Sequence, residues 1–266
     1  MAFLARLKKA SLVGAFFVSL AGVCAARAQC PLEPGLRTLE VKQVVDGDTL
    51  RLADGRSVRL IGVNAPEIGR HGHASQPFAE AARRRLAELV AASHGRVGLR
   101  LGEQPKDRYG RTLAHVYDQT GQNLEARLLE EGFGYRVAIA PNTRLLACQR
   151  EAEASARRGA RGLWRDPPLL SPQRIVESGF ALVQGRVARA QRNRGGLWLE
   201  LDGPLVVRVE SALLKGFSRR FPQSLAGRRV EVRGWVIDRS RRGDVPSGQA
   251  RWMLPLSHPD MIEVLP

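Results

Sequence analysis

"LEVKQVVDGDTLRLADGRSVRLIGVNAPE", residues 39–67, alternates apolar and polar residues around two turn signals, Asp46-Gly47 and Asp54-Gly55. A period of two is that of half-buried strands, and Asp-Gly between two such runs is a strong hairpin cue. The stretch therefore predicts successive strands joined by tight turns. Its last ten residues, "VRLIGVNAPE" (58–67), read as a buried strand running into a turn. That strand carries Arg59, reaches an amide at Asn64, and ends on Glu67 just after a proline.

Outward from this stretch the pattern becomes mixed. "SQPFAEAARRRLAELVAAS" (75–93) has Phe78, Ala82, Leu86, Leu89 and Val90 on one helical face, with Ser75 as the expected cap and Pro77 in the first turn. "RVGLRL" and "RTLAHVY" read as two further strands. "NLEARLLEEG" and "NTRLLACQREAEASARRG" read as two closing helices, the second capped by Asn142. "LWRDPPLLSPQR" (163–174) holds three prolines and reads as the linker. Beyond it, "ALVQGRVARAQR", "GLWLELDG", "LVVRVE", the helical stretch "SALLKGFSRRF", "RRVEVRGWVID" and "DMIEVL" follow in order. Three strands, a helix and two or more strands is the order of an OB-like barrel, a fold that binds single strands or oligosaccharides. Trp198 and Trp235 fall in strand patterns and are expected in the core. "RSRRGDVPSGQAR" reads as a long basic loop and a candidate polyanion contact.

The N-terminus is a separate matter. "MAFLARLKKA" is a basic n-region, "SLVGAFFVSLAGVCA" an apolar h-region, and "ARA" a small-x-small site ending at Ala28. This is the order of a secretory signal peptide, and the apolar run is shorter than the ~20 residues that span a bilayer. The expected division is a signal peptide at 1–28, a first domain at 29–166, a linker at 167–174 and a second domain at 175–266. The mature chain would be exported to the periplasm or beyond, soluble, monomeric and free of the membrane. Cleavage removes Arg6, Lys8, Lys9 and Arg27, lowering the formal charge by four, from +16 to +12. An arginine-rich surface of this kind attracts polyanions through phosphate contacts and counterion release. An arginine-rich background composition would give the same excess, so charge alone does not name the partner. Cys30 and Cys148 would remain, and an oxidising compartment would let them pair; their spacing leaves that open. No cysteine–histidine cluster has zinc spacing, and His71 and His73 read as solvated loop residues.

Three pieces of the first unit carry chemistry-bearing residues together. "VVDGDTL" sets Asp46 and Asp48 at a tight turn, "VRLIGVNAPE" sets Arg59 in a strand and Glu67 after it, and "DRYGR" sets Asp107, Arg108 and Arg111 around a turn. Each alone has an ordinary structural reading; their order on these elements is more specific.

With "VVDGDTLRL", "VRLIGVNAPE", "DRYGRTLAHVY" and "ARRGARGLW", residues about 38–166 resemble the staphylococcal-nuclease-like (thermonuclease) family. The resemblance implies an α+β domain, an OB-fold barrel with three helices. It implies a calcium-dependent phosphodiesterase acting on DNA or RNA. By motif position it places Arg59, Glu67 and Arg111 on the catalytic arginine, glutamate and second arginine. Asp48 and Asn64 fall on two calcium-ligand aspartates, and Ala65 on a backbone-carbonyl ligand.

The chemistry suits those residue types. In-line attack on a phosphodiester gathers negative charge on the equatorial oxygens, which guanidiniums hold in a fixed fork. A carboxylate near a water takes its proton or orients it, and a hard cation held by oxygens polarises both. Arg108 and Tyr109 are candidates to flank the nucleotide. Two departures stand out. Asn64 offers one calcium ion a neutral carbonyl where the family has a charge, which lowers the expected affinity. The two tyrosines that flank the base in the family have no counterpart in "YRVAIAPN", although Tyr135 lies nearby, and His115 takes a position where tyrosine is common. The alternative is a cell-envelope module that binds nucleic acid with little or no catalysis.

Overall fold

A computed structural model describes residues 30–69, 72–217 and 225–266. The segment read as a signal peptide and His71 lie outside them. The first unit has strands β1 (Thr38–Val44), β2 (Thr49–Leu52), β3 (Ser57–Leu60) and β4 (Val63–Asn64), then helix α1 (Ala79–Ala92). Strands β5 (Arg96–Lys106) and β6 (Thr112–Tyr117), helix α2 (Leu124–Glu130), strand β7 (Tyr135–Arg136) and helix α3 (Leu146–Arg158) complete it. The second comprises β8 (Leu169–Leu170), β9 (Gly179–Asn193), β10 (Gly196–Leu201), β11 (Leu205–Glu210), a short α4 (Leu214–Phe217), β12 (Arg229–Asp238), β13 (Trp252–Leu256) and β14 (Ile262–Val264).

The chain is α+β, and its two barrels share one topology. In the first the order is β1-β2-β3-β6-β5, closed by β1 pairing β5, with β3 parallel to β6. In the second, β9 pairs β10, β10 pairs β11, β11 runs parallel to β13, β13 pairs β12, and β12 returns to β9. In both, the third strand lies parallel to the fifth and a helical segment sits between the third and fourth. This is the OB arrangement, with three helices in the first unit as expected. Alternation fills each interior: Leu50, Leu52, Val58, Leu60, Val97, Ala114 and Val116 in one, and Val183, Leu199, Leu201, Leu205, Val207, Val230, Val232 and Leu254 in the other.

Several local expectations are corrected. Ser75 does not cap α1: its hydroxyl accepts from Gly69 N–H, and the helix starts after Phe78, which holds a positive φ of 67° and is exposed. Asn142 does not cap α3; its amide bonds both backbone groups of Gln104 on β5 instead. The strand β13 was not foreseen, and it is the one that closes the second barrel. Trp252, Leu254 and Leu256 alternate inward there, while Pro255, lacking an N–H, lies beyond the last residue that pairs with β12. Trp252, at 3 % exposure, is the tryptophan in the core of the second barrel. Trp198 and Trp235 are not: both lie on outer faces, Trp235 at 38 % exposure.

Where a linker was expected, β8 adds in parallel to the edge of β9, and the two barrels pack directly. Val137 and Ala138 of the first unit join the core of the second. Tyr135 and Trp164 meet Phe180, the Tyr135 and Phe180 ring centroids lying 5.4 Å apart. Arg233 of β12 is buried between Glu153 of α3 at 2.7 Å and Glu231 at 3.0 Å, and Arg157 reaches Glu231 at 2.6 Å. Buried charges survive only when paired and hydrogen-bonded, so these pairs set the relative position of the barrels. Cys30 and Cys148 form a disulfide that ties the N-terminal segment to α3.

Candidate active site

The Asp46-Gly47-Asp48 turn begins the site. Val45 N–H bonds Thr49 carbonyl at 2.9 Å and Asp48 N–H bonds Asp46 Oδ1 at 3.0 Å. A Cβ on Gly47 would lie 2.6 Å from those of Ala65 and Ala82, so glycine lets the turn close against the active-site strand and α1. The Asp48 carboxylate is buried beneath it. Its Oδ1 accepts from Thr49 Oγ1 at 3.0 Å, and its Oδ2 accepts from Ala65 N–H at 2.7 Å and lies 3.1 Å from Arg59 Nη2.

Arg59 is held by the chain that follows it. After β3 the backbone turns through Gly62 at φ 87°, where a Cβ would strike the Gln149 amide. β4 then pairs with β7. The turn aims the carbonyls of Leu60 and Val63 at Arg59 Nη1, each at 2.7 Å. Nη2 donates to Asn64 Oδ1 at 3.1 Å as well as facing Asp48. One guanidinium nitrogen thus bridges the carboxylate and the amide, and those two oxygens lie within about twice that distance of one another. Burial pushes the Asp48 carboxyl up to about 6, against the lowering effect of Arg59 and with a further push from Asp46.

Glu67 stands three residues beyond Asn64, exposed at the rim. Gln76 pins its backbone, accepting from Glu67 N–H at 2.9 Å and donating its own N–H to Glu67 carbonyl at 2.9 Å. Its carboxylate has no hydrogen-bond or ion-pair partner among the described residues.

Arg111 enters from the neighbouring strand. Because Val58 pairs with Thr112 and Arg59 with Leu113 in parallel register, Arg111 and Arg59 both face outward on adjacent strands, two residues apart in level. Strand spacing and rise put their Cα atoms about 8 Å apart. Asp107 accepts from Arg111 N–H at 2.9 Å and from its Nε at 2.7 Å. Burial favours the neutral Asp107 carboxyl, but the hydrogen bonds from Arg111 and Tyr109 outweigh it and hold the group below the usual range. Tyr109, 69 % exposed, lies between Arg108 and Arg111, whose guanidinium carbons are 4.7 and 5.6 Å from its ring centroid.

Asp48, Arg59, Asn64 and Ala65 are therefore in direct contact, Arg111 shares their face, and Glu67 follows on the same loop. Tyr135 is not available to a nucleotide, being 6 % exposed and packed on Trp164 and Phe180. His115 is buried with its Nδ1 3.4 Å from Glu125. His73 is exposed, as expected of a solvated loop residue. The supporting roles of Thr49 and Gln76 were not foreseen. Thr49 lies within the "VVDGDTL" motif, whereas Gln76 carries no local signal.

The candidate oxygen donors brought together here are the Asp48 carboxylate and the Asn64 amide, both against Arg59 Nη2, with the Ala65 backbone held on Asp48 through its N–H. No group of three His, Cys, Asp or Glu able to hold a metal occurs among the described residues. An all-oxygen set with a single buried carboxylate still fits a hard cation such as calcium. The Asp48 carboxyl, disfavoured as an anion by burial, is a group that a nearby dication would keep ionised.

Residues 57–166 match the family described as Staphylococcal nuclease homologue. The chain is 33 % identical over 127 residues to the thermonuclease of Staphylococcus intermedius, an overlap covering 47 % of this chain and 74 % of that protein. It is 37 % identical over 146 residues to the micrococcal nuclease of Shigella flexneri, covering 50 % and 76 %. It is 32 % identical over 134 residues to Endonuclease YncB of Bacillus subtilis, covering 48 % and 62 %.

Proposed function

From the premise that this chain belongs to the staphylococcal-nuclease family and is a nuclease, we propose an exported, calcium-dependent endonuclease of DNA or RNA. In this reading Asp48, Asn64 and the Ala65 carbonyl hold one calcium ion, which when bound polarises the scissile phosphate and the attacking water.

The chain's own residues do the rest. Arg59 keeps Nη1 anchored on two carbonyls and Nη2 against Asn64 and Asp48, so its Nε hydrogen is the one it offers to a phosphate oxygen. Arg111 is held at Nε by Asp107 and offers its Nη hydrogens from the adjoining strand. Both sets of bonds strengthen as charge builds on the equatorial oxygens, which lowers the barrier because the donors are already oriented. Glu67, pinned at its backbone by Gln76 and with no carboxylate partner among the described residues, takes the proton of the attacking water or orients it. Tyr109, flanked by two guanidiniums, supplies a face for the neighbouring nucleotide together with Arg108.

One observation carries this reading. The guanidinium of Arg59 is fixed against Asp48 and Asn64 on the strand that leads into Glu67. Support for export comes from the Cys30–Cys148 disulfide, since such bonds persist in oxidising compartments, and from the N-terminal pattern. Incubating the protein, without residues 1–28, with single-stranded DNA in calcium or in chelator tests it. Cleavage with calcium and none with chelator is the expected outcome. Cleavage indifferent to chelator removes the calcium assignment, and binding without cleavage in either condition favours the non-catalytic module.

A further inference from the structure

We propose that the outer face of β10 and β11 in the second barrel binds single-stranded nucleic acid, with Trp198 as the surface on which a base stacks. The inference rests on the nuclease reading only for the class of polymer.

In a barrel of this strand order, the second and third strands and the loops joining first to second and fourth to fifth lie on one side. Here those strands are β10 and β11, and the loops are residues 194–195 and 239–251. Register sets Gln191, Trp198, Arg208 and Pro255 in one outward row across β9, β10, β11 and β13. None of the four is acidic. The Trp198 ring is held in one orientation: its Nε1 donates to Asn193 Oδ1 at 3.1 Å, and the Arg208 guanidinium carbon lies 5.0 Å from its centroid.

Charge on this side favours a polyanion. Residues 175–266 carry fifteen Lys and Arg against nine Asp and Glu. Among the nearby acids, Glu200 is held by Arg189 at 2.9 Å and Asp238 by Arg251 at 2.7 Å. Glu210 lies 3.8 Å from Arg208, and Asp202 and Asp244 are exposed. Arg192, Arg194 and Arg241 are exposed and have no ion pair among the described residues. A fixed aromatic ring flanked by cations is what a single strand needs: bases stack on the ring while the backbone follows the arginines. A duplex, whose bases are already stacked, gains only the charge contacts. The occupant is therefore a single strand.

The test uses the protein without residues 1–28, in chelator so that nothing is cut, with a labelled 20-nucleotide oligothymidylate and a 20-base-pair duplex. Trp198→Ala is expected to weaken the single strand about tenfold, with little effect on the duplex. Trp198→Phe, which keeps an aromatic face, should restore most of the loss, whereas Trp198→Leu, which keeps apolar bulk without that face, should not; equal rescue by both overturns the stacking role. Arg192→Gln with Arg194→Gln should make the log–log salt dependence shallower by about 1.4, at ~0.7 for each phosphate no longer neutralised. Arg84→Gln, an exposed arginine on α1, is the charge control and should change neither. Unchanged single-strand affinity in Trp198→Ala, or equal losses for single strand and duplex, overturns the proposal. Hydrolysis of a dinucleotide in calcium, too short to reach both barrels, is read separately and should be unaltered in these variants. If that hydrolysis is absent in the parent protein, the nuclease reading fails while the binding result stands.

Discussion

Arg59 Nη2 lies 3.1 Å from Asn64 Oδ1 and 3.1 Å from Asp48 Oδ2. A single guanidinium nitrogen therefore joins the two side chains proposed to share a cation, and only one of them is charged.

Asn64→Asp restores the missing charge. At an effective dielectric near ~20, a close charge pair interacts by several kcal/mol before desolvation. Desolvating the new carboxylate offsets much of this, leaving about one to two kcal/mol, or roughly a tenfold gain in affinity. The calcium concentration for half-maximal activity should fall by about that factor. Activity titration and calorimetric calcium binding check it together, and an unchanged midpoint in both would remove Asn64 from the ligand set.

Glu67→Gln, Arg59→Ala and Arg111→Ala should each lower turnover by at least ~10²-fold. Their stabilities should differ. Glu67 is exposed and its carboxylate has no partner among the described residues, so Glu67→Gln should leave the thermal midpoint nearly unchanged. Arg59→Ala removes the counter-charge of buried Asp48 and should also destabilise the fold, by about 1–3 kcal/mol. Wild-type rates in folded variants would dismiss the proposed roles.

The barrel interface should loosen in acid. Burial alone would raise the Glu231 carboxyl, but the hydrogen bond from Arg157, with Gln184 and Arg233, brings it down to about 2 from its ordinary 4.5. A depressed folded value means that the stabilisation is full above about 4.5 and is lost as pH falls toward 2. Thermal midpoints measured from pH 5 to 2.5 should therefore decline, and Glu231→Gln should flatten that decline. An identical slope in the variant would show that other carboxylates govern it.

Removing the disulfide should cost stability rather than chemistry. Cys30 and Cys148 are 118 residues apart, and closing a loop of that size restricts the unfolded chain by about 4–5 kcal/mol. Cys30→Ala with Cys148→Ala should lower the denaturation midpoint substantially, while folded protein keeps its rate constant for cleavage. Equal midpoints with and without reductant in the parent would indicate that the bond contributes nothing.

The polarity pattern by itself determined the strands of the first barrel, most of those of the second, and the three helices of the first unit. Period and turn residues encode which side of an element is buried, and they are local. Asp48, Arg59, Asn64 and Arg111 were singled out by resemblance to the family's motifs, and strand alternation accounts only for the shared outward face of Arg59 and Arg111. Partners were a different matter. Ser75 and Asn142 have the chemistry of helix caps, yet Gly69 N–H and the Gln104 backbone claim them. Trp198 and Trp252 look alike in sequence, and only barrel closure by β13 decides which of them turns inward. The Arg233–Glu153 and Arg157–Glu231 pairs join residues 80 and 74 positions apart. No local pattern can announce such contacts. A buried charge is placed by whatever the tertiary structure brings opposite it, and that is settled only when both barrels have packed.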